Sequence, residues 1–271
     1  MHRIANRQLS TLRKYFYLPR RHGCDVSENI HTYFRATSSE IHELLMPKAK
    51  LVILHEDNHL LVVNKPVGLP TMGVAKELPS LLSQAKADLK RRYDKPGNVY
   101  LGVVSRLDTP VSGVVLLAKT SKAAARLCEQ FRERKVRKTY WAVVEGLPAK
   151  QQEELHTWLR KDERHRRVHV SIASAKGAQE AILSYSLTKR FRATSLLEIE
   201  LLTGRKHQIR VQFAHIKHPI VGDRKYGSNI FFPQGIALHA RSVRFQHPVQ
   251  KNEITIQAPL PDSWSKWHIG S

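Results

Sequence analysis

Ala181-Ile182-Leu183-Ser184-Tyr185-Ser186-Leu187, followed by Ser195-Leu196-Leu197-Glu198-Ile199-Glu200-Leu201-Leu202, decides the fold class. Both segments read as strands, and only a short basic connector separates them. Working outward, residues 167–172, 236–245 and 253–257 read as further strands. One convincing helix interrupts them, from about 206 to 217, with Ile209, Phe213 and Ile216 on one face and Pro219 as its stop. Strands in succession without regular intervening helices argue for antiparallel pairing and an α+β class, not a doubly wound parallel sheet.

Further towards the N-terminus, Leu51-Val52-Ile53-Leu54, a polar turn, and Leu60-Leu61-Val62-Val63 form a strand–turn–strand pattern, ended by Pro66 and Gly68. Residues 80–93 read as a helix with a basic side. Residues 114–118 form a short apolar strand, and 140–144 another, closed by Gly146. Between them Thr120 or Ser121 can cap a helix whose apolar face is Ala123, Ala124, Leu127, Cys128 and Phe131. Repeats, low-complexity tracts and clear linkers are lacking, so the expected organisation is a basic N-terminal extension, 1–49, followed by one catalytic-sized domain, 50–271.

Charge narrows the partner. The 271 residues hold 45 Lys+Arg against 23 Asp+Glu, a formal net charge of +22, while hydrophobic residues remain at 41%. That hydrophobic content suits a packed core, so the excess charge points to a polyanion, with nucleic acid the leading candidate, and not to disorder. No apolar run is long enough to span a bilayer. Cys24 and Cys128 supply neither a disulfide framework nor a zinc or redox spacing, which fits a reducing compartment and a cytoplasmic location. Residues 1–24 contain no acidic residue but carry Arg3, Arg7, Arg13, Lys14, Arg20 and Arg21. They read as a basic arm on an RNA backbone, as a transit segment with an organellar destination, or as a poorly ordered terminus.

Two constellations could carry chemistry. Ser105-Arg106-Leu107-Asp108-Thr109-Pro110-Val111-Ser112-Gly113 precedes the strand at 114–118. Nearby arginines would hold Asp108 ionised, which suits a nucleophile or base; equally, the carboxylate could serve only to accept hydrogen bonds from turn amides. Thr203-Gly204-Arg205-Lys206-His207-Gln208-Ile209-Arg210 joins a strand to a basic helix start that favours phosphate. His207, His215 and His218 lack the companions of a metal site and read as surface or RNA-facing residues, so no metal is expected. The runs 132–138 and 160–167 add cationic surface, including Arg134, Arg137, Lys138, Arg166 and Arg167. Tyr140 and Trp141 follow the first run; one of them could stack on a base, and because they alternate along a strand at least one should be core.

Taken in order, the segments resemble the RluA-type family of RNA pseudouridine synthases. The matching pieces are Val63-Asn64-Lys65-Pro66-Val67-Gly68; Arg106-Leu107-Asp108 with Ser112-Gly113; Lys138-Thr139-Tyr140-Trp141 running to Gly146; and Leu202-Thr203-Gly204-Arg205-Lys206-His207-Gln208-Ile209-Arg210-Val211. Then come His218-Pro219-Ile220-Val221-Gly222-Asp223 with Tyr226-Gly227, and finally Leu238-His239-Ala240 with Phe245 and His247-Pro248. The resemblance covers roughly residues 50–260. It implies a mixed, mainly antiparallel β-sheet core with flanking helices and a central RNA-binding cleft. It further implies isomerisation of uridine to pseudouridine in RNA, with ribosomal or transfer RNA as the expected substrate, and with no cofactor and no metal. A monomer is the default expectation for a protein that docks on a large RNA.

By the same resemblance Asp108 is the catalytic aspartate, attacking a flipped nucleotide so that the base detaches, turns and rejoins through carbon. Arg210 pairs with Asp108, Tyr140 stacks on the base and helps remove the C5 proton, and Arg106 fills the space the base leaves. Arg205, Lys206 and His207, with the two basic runs, would hold RNA and offset the cost of extruding the base. Ser105 stands where the family usually has His, and Val111 where it often has Thr, which implies a modulated site and not a dead one. The family's S4 RNA-binding module has no convincing copy in residues 1–49. A non-catalytic RNA-binding protein that keeps the fold is the rival reading. An aspartate-dependent glycosidase fits less well, because most glycosidases need two carboxylates and only Asp108 sits in a suitable loop.

Overall fold

The structure, a computed structural model, describes residues 51–75 and 78–267. Two units make up the chain, Met1–Lys50 with Gly73–Pro79 and Leu51–Met72 with Ser80–Ser271. The second holds every described strand and helix, and all that follows concerns it. The basic arm expected at 1–24, and the whole extension to 49, lie outside the described residues.

Eleven strands among the described residues form one sheet in the order β1-β2-β4-β10-β5-β9-β8-β6-β7, with β11 on β10 and β3 on β4. They are β1 Val52–Glu56, β2 Leu60–Lys65, β3 Gly102–Val103, β4 Ser112–Ala118, β5 Arg137–Glu145 and β6 Gln152–Asp162. After these come β7 Arg167–Ser171, β8 Gln179–Arg190, β9 Thr194–Leu201, β10 Leu238–Gln246 and β11 Glu253–Gln257. Each pairing is antiparallel except that of β4 with β10. The fold is therefore α+β with a mixed, mainly antiparallel sheet.

The sequence patterns follow from which faces are covered. Alternate residues of β2 and β4 point to opposite sides. Leu61, Val63, Val115 and Leu117 pack on Leu81, Ala85 and Leu89 of helix α1, Leu81–Arg92. Leu60, Val62, Val114 and Leu116 pack on Ala123 and Leu127 of helix α2, Ser121–Arg132. With both faces buried, these strands need unbroken apolar runs. Ser80 starts α1 through a capping box with Ser83, and of the two candidates it is Thr120 that caps α2, accepting from the Ala123 amide at 3.2 Å.

In the other half of the sheet, β9 buries Leu197 and Ile199 but exposes Glu198 and Glu200. The covered face packs on helix α3, Gln208–His215, whose Ile209 and Phe213 are buried as their spacing predicts. Strand β6 has no counterpart in the sequence reading. Its outward positions are mostly polar or charged, with Trp158 the exception, and the cationic run 160–167 is the end of β6, the turn and the first residue of β7.

Candidate active site

Asp108 sits on the loop between β3 and β4, and the loop is pinned from several sides. The Thr71 hydroxyl donates to the Leu107 carbonyl at 2.9 Å and accepts from the Leu107 amide at 3.1 Å. The Gly68 amide donates to the Thr109 carbonyl, the Ile236 amide to that of Pro110, and the Val111 amide closes a turn on the Asp108 carbonyl. Below it lies Lys65, fully buried, whose Nζ donates to Pro66 O and Leu69 O at 2.8 Å each and reaches Thr109 O at 3.4 Å. Ser105, in place of the family's His, has its hydroxyl oxygen engaged by the Leu116 amide at 2.9 Å. Val111 is core.

Helix α3 brings Arg210 to this loop from far along the chain. Its Nη1 donates to Asp108 Oδ2 at 2.8 Å. The rest of the guanidinium is held by Asp223, Nε to Oδ2 at 2.6 Å and Nη2 to Oδ1 at 2.9 Å, a bidentate fork. Arg210 and Asp223 are both buried, so the pair satisfies charge that would otherwise be costly in the interior. The helix itself is seated by amides: Gln212 Nε2 donates to Leu155 O and Ala181 O, and Gln208 Nε2 to Ile182 O. A rigid mounting of this kind sets the direction from which Arg210 meets the carboxylate.

A cleft of about 70 Å³ opens over Asp108 and Arg210, walled by Tyr140, Leu201 and Leu238, with Arg106, Arg205 and His207 around it. Burial, and then the nearby Asp108, push the Tyr140 phenol well above its ordinary value, so it presents a ring and a neutral hydroxyl. Trp141, on the opposite face of β5, donates from its indole to Glu198 at 3.1 Å and lies under the Arg241 guanidinium. Arg106 is exposed at the mouth. Arg205 is held by the Glu180 carbonyl at 2.9 Å.

The other expected RNA contacts do not line the cleft. Arg134 pairs with Glu180 at 3.1 Å, Arg137 and Lys206 are exposed, and Lys138 lies over the Phe131 ring, pulled down to about 8 by burial. Arg166 sits in the β6–β7 turn and Arg167 opens β7; Lys225 Nζ donates to the Arg166 carbonyl at 2.6 Å and Arg167 donates to the Lys225 carbonyl. His215 is exposed, and His218 bonds the Glu145 carbonyl. Among the described residues no group of three His, Cys, Asp or Glu gathers as a metal site.

Three residues with structural consequences for the site carried no role in the sequence reading: Lys65, Asp223 and Tyr226. All stand inside segments that resemble the family, so their positions were visible while their contacts were not. Tyr226 meets His207 Nδ1 at 2.6 Å, and His207 Nε2 lies 3.7 Å from Asp108 Oδ2.

Residues 59–215 match the RNA pseudouridylate synthase family. Ribosomal large subunit pseudouridine synthase D of Xylella fastidiosa is 38% identical over 226 residues, covering 78% of this chain and 66% of that protein. The chain thus spans about two thirds of the length of that relative. The tRNA pseudouridine synthase C of Vibrio parahaemolyticus is 31% identical over 242 residues, 82% of this chain and 95% of that one. Among solved structures, human RNA Pseudouridylate Synthase Domain Containing 4 superposes with a TM-score of 0.66 at 25% identity, covering 87% of this chain and 98% of its own. The fold, the order of the motifs and these alignments agree: the chain belongs to the RNA pseudouridylate synthase family.

Proposed function

We propose that the protein isomerises uridine to pseudouridine in a structured RNA, with Asp108 as the reacting carboxylate. The observation that carries this is the carboxylate at the floor of a cleft, held at 2.8 Å by a buried arginine and faced by a tyrosine ring. The reaction asks for little else. The base leaves its stack, because the glycosidic bond is out of reach inside a helix. Asp108 supplies an electron pair to C1′ as the C1′–N1 bond breaks and its pair stays on the base. The base turns, C5 supplies the pair for a new bond to C1′, and the bond to the carboxylate returns its pair to Asp108. The C5 hydrogen leaves as a proton and N1 takes one up, so nothing is oxidised or reduced. Arg210 orients the carboxylate, the Tyr140 ring gives the turning base a flat surface, and Arg106 at the mouth fills the gap in the stack. The raised Tyr140 phenol stays neutral while its ring lines the cleft, which favours stacking over a role as a phenolate base.

Relatives act on ribosomal and on transfer RNA by name, and both are the substrates to try. Tritium release from RNA labelled at uridine C5 tests the proposal. Asp108→Asn should lower release by at least about 10³-fold while RNA affinity changes by less than about threefold. Turnover that survives the substitution removes Asp108 from the mechanism. Wild-type protein that binds both RNAs with a steep salt dependence, yet releases no tritium from either, would establish the non-catalytic reading instead.

A further inference from the structure

His207 has features that RNA binding does not explain. It is a non-glycine residue at φ +56, immediately before α3, with its side chain only 9% exposed. That backbone region is sparsely populated by side-chain-bearing residues, and strain of this kind gathers at functional positions. The conformation places the two ring nitrogens between named partners: Nδ1 is 2.6 Å from the Tyr226 hydroxyl, and Nε2 is 3.7 Å from Asp108 Oδ2.

Hydrogen placement follows from the neighbours. The Val168 amide, which can only donate, reaches the Tyr226 oxygen at 3.1 Å, and that oxygen's own hydrogen is then free for His207 Nδ1. Burial first, with further contributions on both sides, leaves Tyr226 above its ordinary value, so it keeps that hydrogen. At the other end of the ring a carboxylate oxygen faces Nε2 and calls for an N–H. Both ends agree on the neutral tautomer with its proton on Nε2. Burial lowers His207 to about 4, with Arg210, Lys225 and Lys206 adding to the fall against the pull of Asp108, so the ring is neutral near pH 7.

The carboxylate is approached unevenly. Arg210 and His207 both meet Oδ2, and among the described residues no hydrogen bond reaches Oδ1. We propose that Tyr226 and His207 form a positioning pair for Asp108: the Tyr226 hydroxyl fixes His207 as the Nε2–H tautomer, and that N–H, with Arg210, claims Oδ2 and leaves Oδ1 as the oxygen that meets the substrate. A separation of 3.7 Å is long for a hydrogen bond, and it closes as the substrate settles the loop, as contacts of this kind do on going from the free enzyme to the complex. The assignment rests on Asp108 being the reacting residue.

The full chain labelled with ¹⁵N-histidine tests the pair directly, with His207 identified by the signal missing in His207→Gln. At pH 7 the wild-type ring should show a pyridine-type Nδ1 and a pyrrole-type Nε2; the reverse pattern, or an imidazolium, overturns the proposal. Tyr226→Phe should mix the two tautomers and slow single-turnover tritium release roughly tenfold, with RNA affinity and thermal midpoint little changed. His207→Leu should slow it at least as much, and His207→Gln, which can place an N–H near the Nε2 position, should recover most of that loss. Equal single-turnover rates in wild type and His207→Leu would overturn the pair while leaving Asp108 in place. An active Asp108→Asn would instead sink the reading beneath it, and the tautomer measurement tells the two failures apart.

Discussion

Lys65 shows how much a single buried cation can organise. Its side chain is wholly out of solvent, and its three ammonium hydrogens point at three carbonyl oxygens, two of them on the 66–69 turn and one on Thr109 next to Asp108. Burial pulls its pKa down to about 7, while Asp108 pulls it back up. The carbonyl cage suits the charged form, because an ammonium satisfies all three acceptors and a neutral amine cannot. Lys65→Met keeps the volume and strands those carbonyls in the interior. The expected cost is about 2–4 kcal/mol of stability, read by denaturant unfolding, together with a drop in turnover as the Asp108 loop loosens. A change below about 0.5 kcal/mol would mean that the cage is not needed. This residue also marks the boundary of what sequence reveals. Asp108, Arg210 and Tyr140 were legible because resemblance assigns them roles, and the structure brings all three to one cleft. Lys65, Asp223 and Tyr226 were not, because their roles consist of contacts with carbonyls and side chains from other elements, and no local pattern encodes those.

Two halves of the sheet meet between strands β4 and β10, and the join is narrow. It consists of two parallel register pairs, His239 with Ser112 and Ala240 with Gly113. The Ser112 hydroxyl meets His239 Nδ1 at 2.8 Å across the same join, which places the Asp108 loop, just before β4, against β10. Gly113 lies at φ +117, and a Cβ there would fall 2.3 Å from the Ala240 carbonyl oxygen. Backbone cannot retreat from such an overlap without parting the strands. Gly113→Ala should therefore cost about 3 kcal/mol or more and blunt catalysis. Gly177, at φ +81 with nothing near its missing Cβ, supplies the comparison: Gly177→Ala should cost only about 1 kcal/mol, the price of its backbone angle. Equal losses in thermal unfolding of the two variants would refute a special role for the join. Strands that bury both faces, such as β2 and β4, announced themselves as apolar runs, and β8 and β9 by their place in a strand-rich half. Strand β6 stayed hidden because charged outward residues such as Glu154 and Arg160 masked its buried Leu155 and Leu159. The β4–β10 pairing joins residues too distant in sequence for any periodicity to suggest it.

Over the whole molecule the net charge of +22 is less free than its sum suggests, because carboxylates tie down part of it: Arg92 with Asp88 and Glu56, Lys119 with Glu56, Arg134 with Glu180. What the charge leaves open is how stability responds to acid, and two histidines, His239 buried and His207 partly buried, answer it. His207 and His239 are both lowered by burial to about 4 from an ordinary 6.5. His239 is enclosed between the Ser112 hydroxyl and the Ala258 carbonyl, and His207 between Tyr226 and Asp108. Each stays neutral in the folded chain while the unfolded chain takes up a proton, so between these two values the unfolded state binds more protons. Stability is then fully present above about pH 6.5 and falls as pH drops towards 4. Allowing for solvent reaching the His207 ring, the two together should remove about 3 kcal/mol between pH 7 and pH 5, a large share of what a domain of this kind possesses. His239→Asn can retain an acceptor for Ser112 but cannot titrate, so it should flatten roughly half of the slope even if it lowers stability at pH 7. Denaturant midpoints measured across that range decide the matter: equal stability at pH 7 and pH 5, or an unchanged slope in His239→Asn, would show that these rings do not carry the acid response.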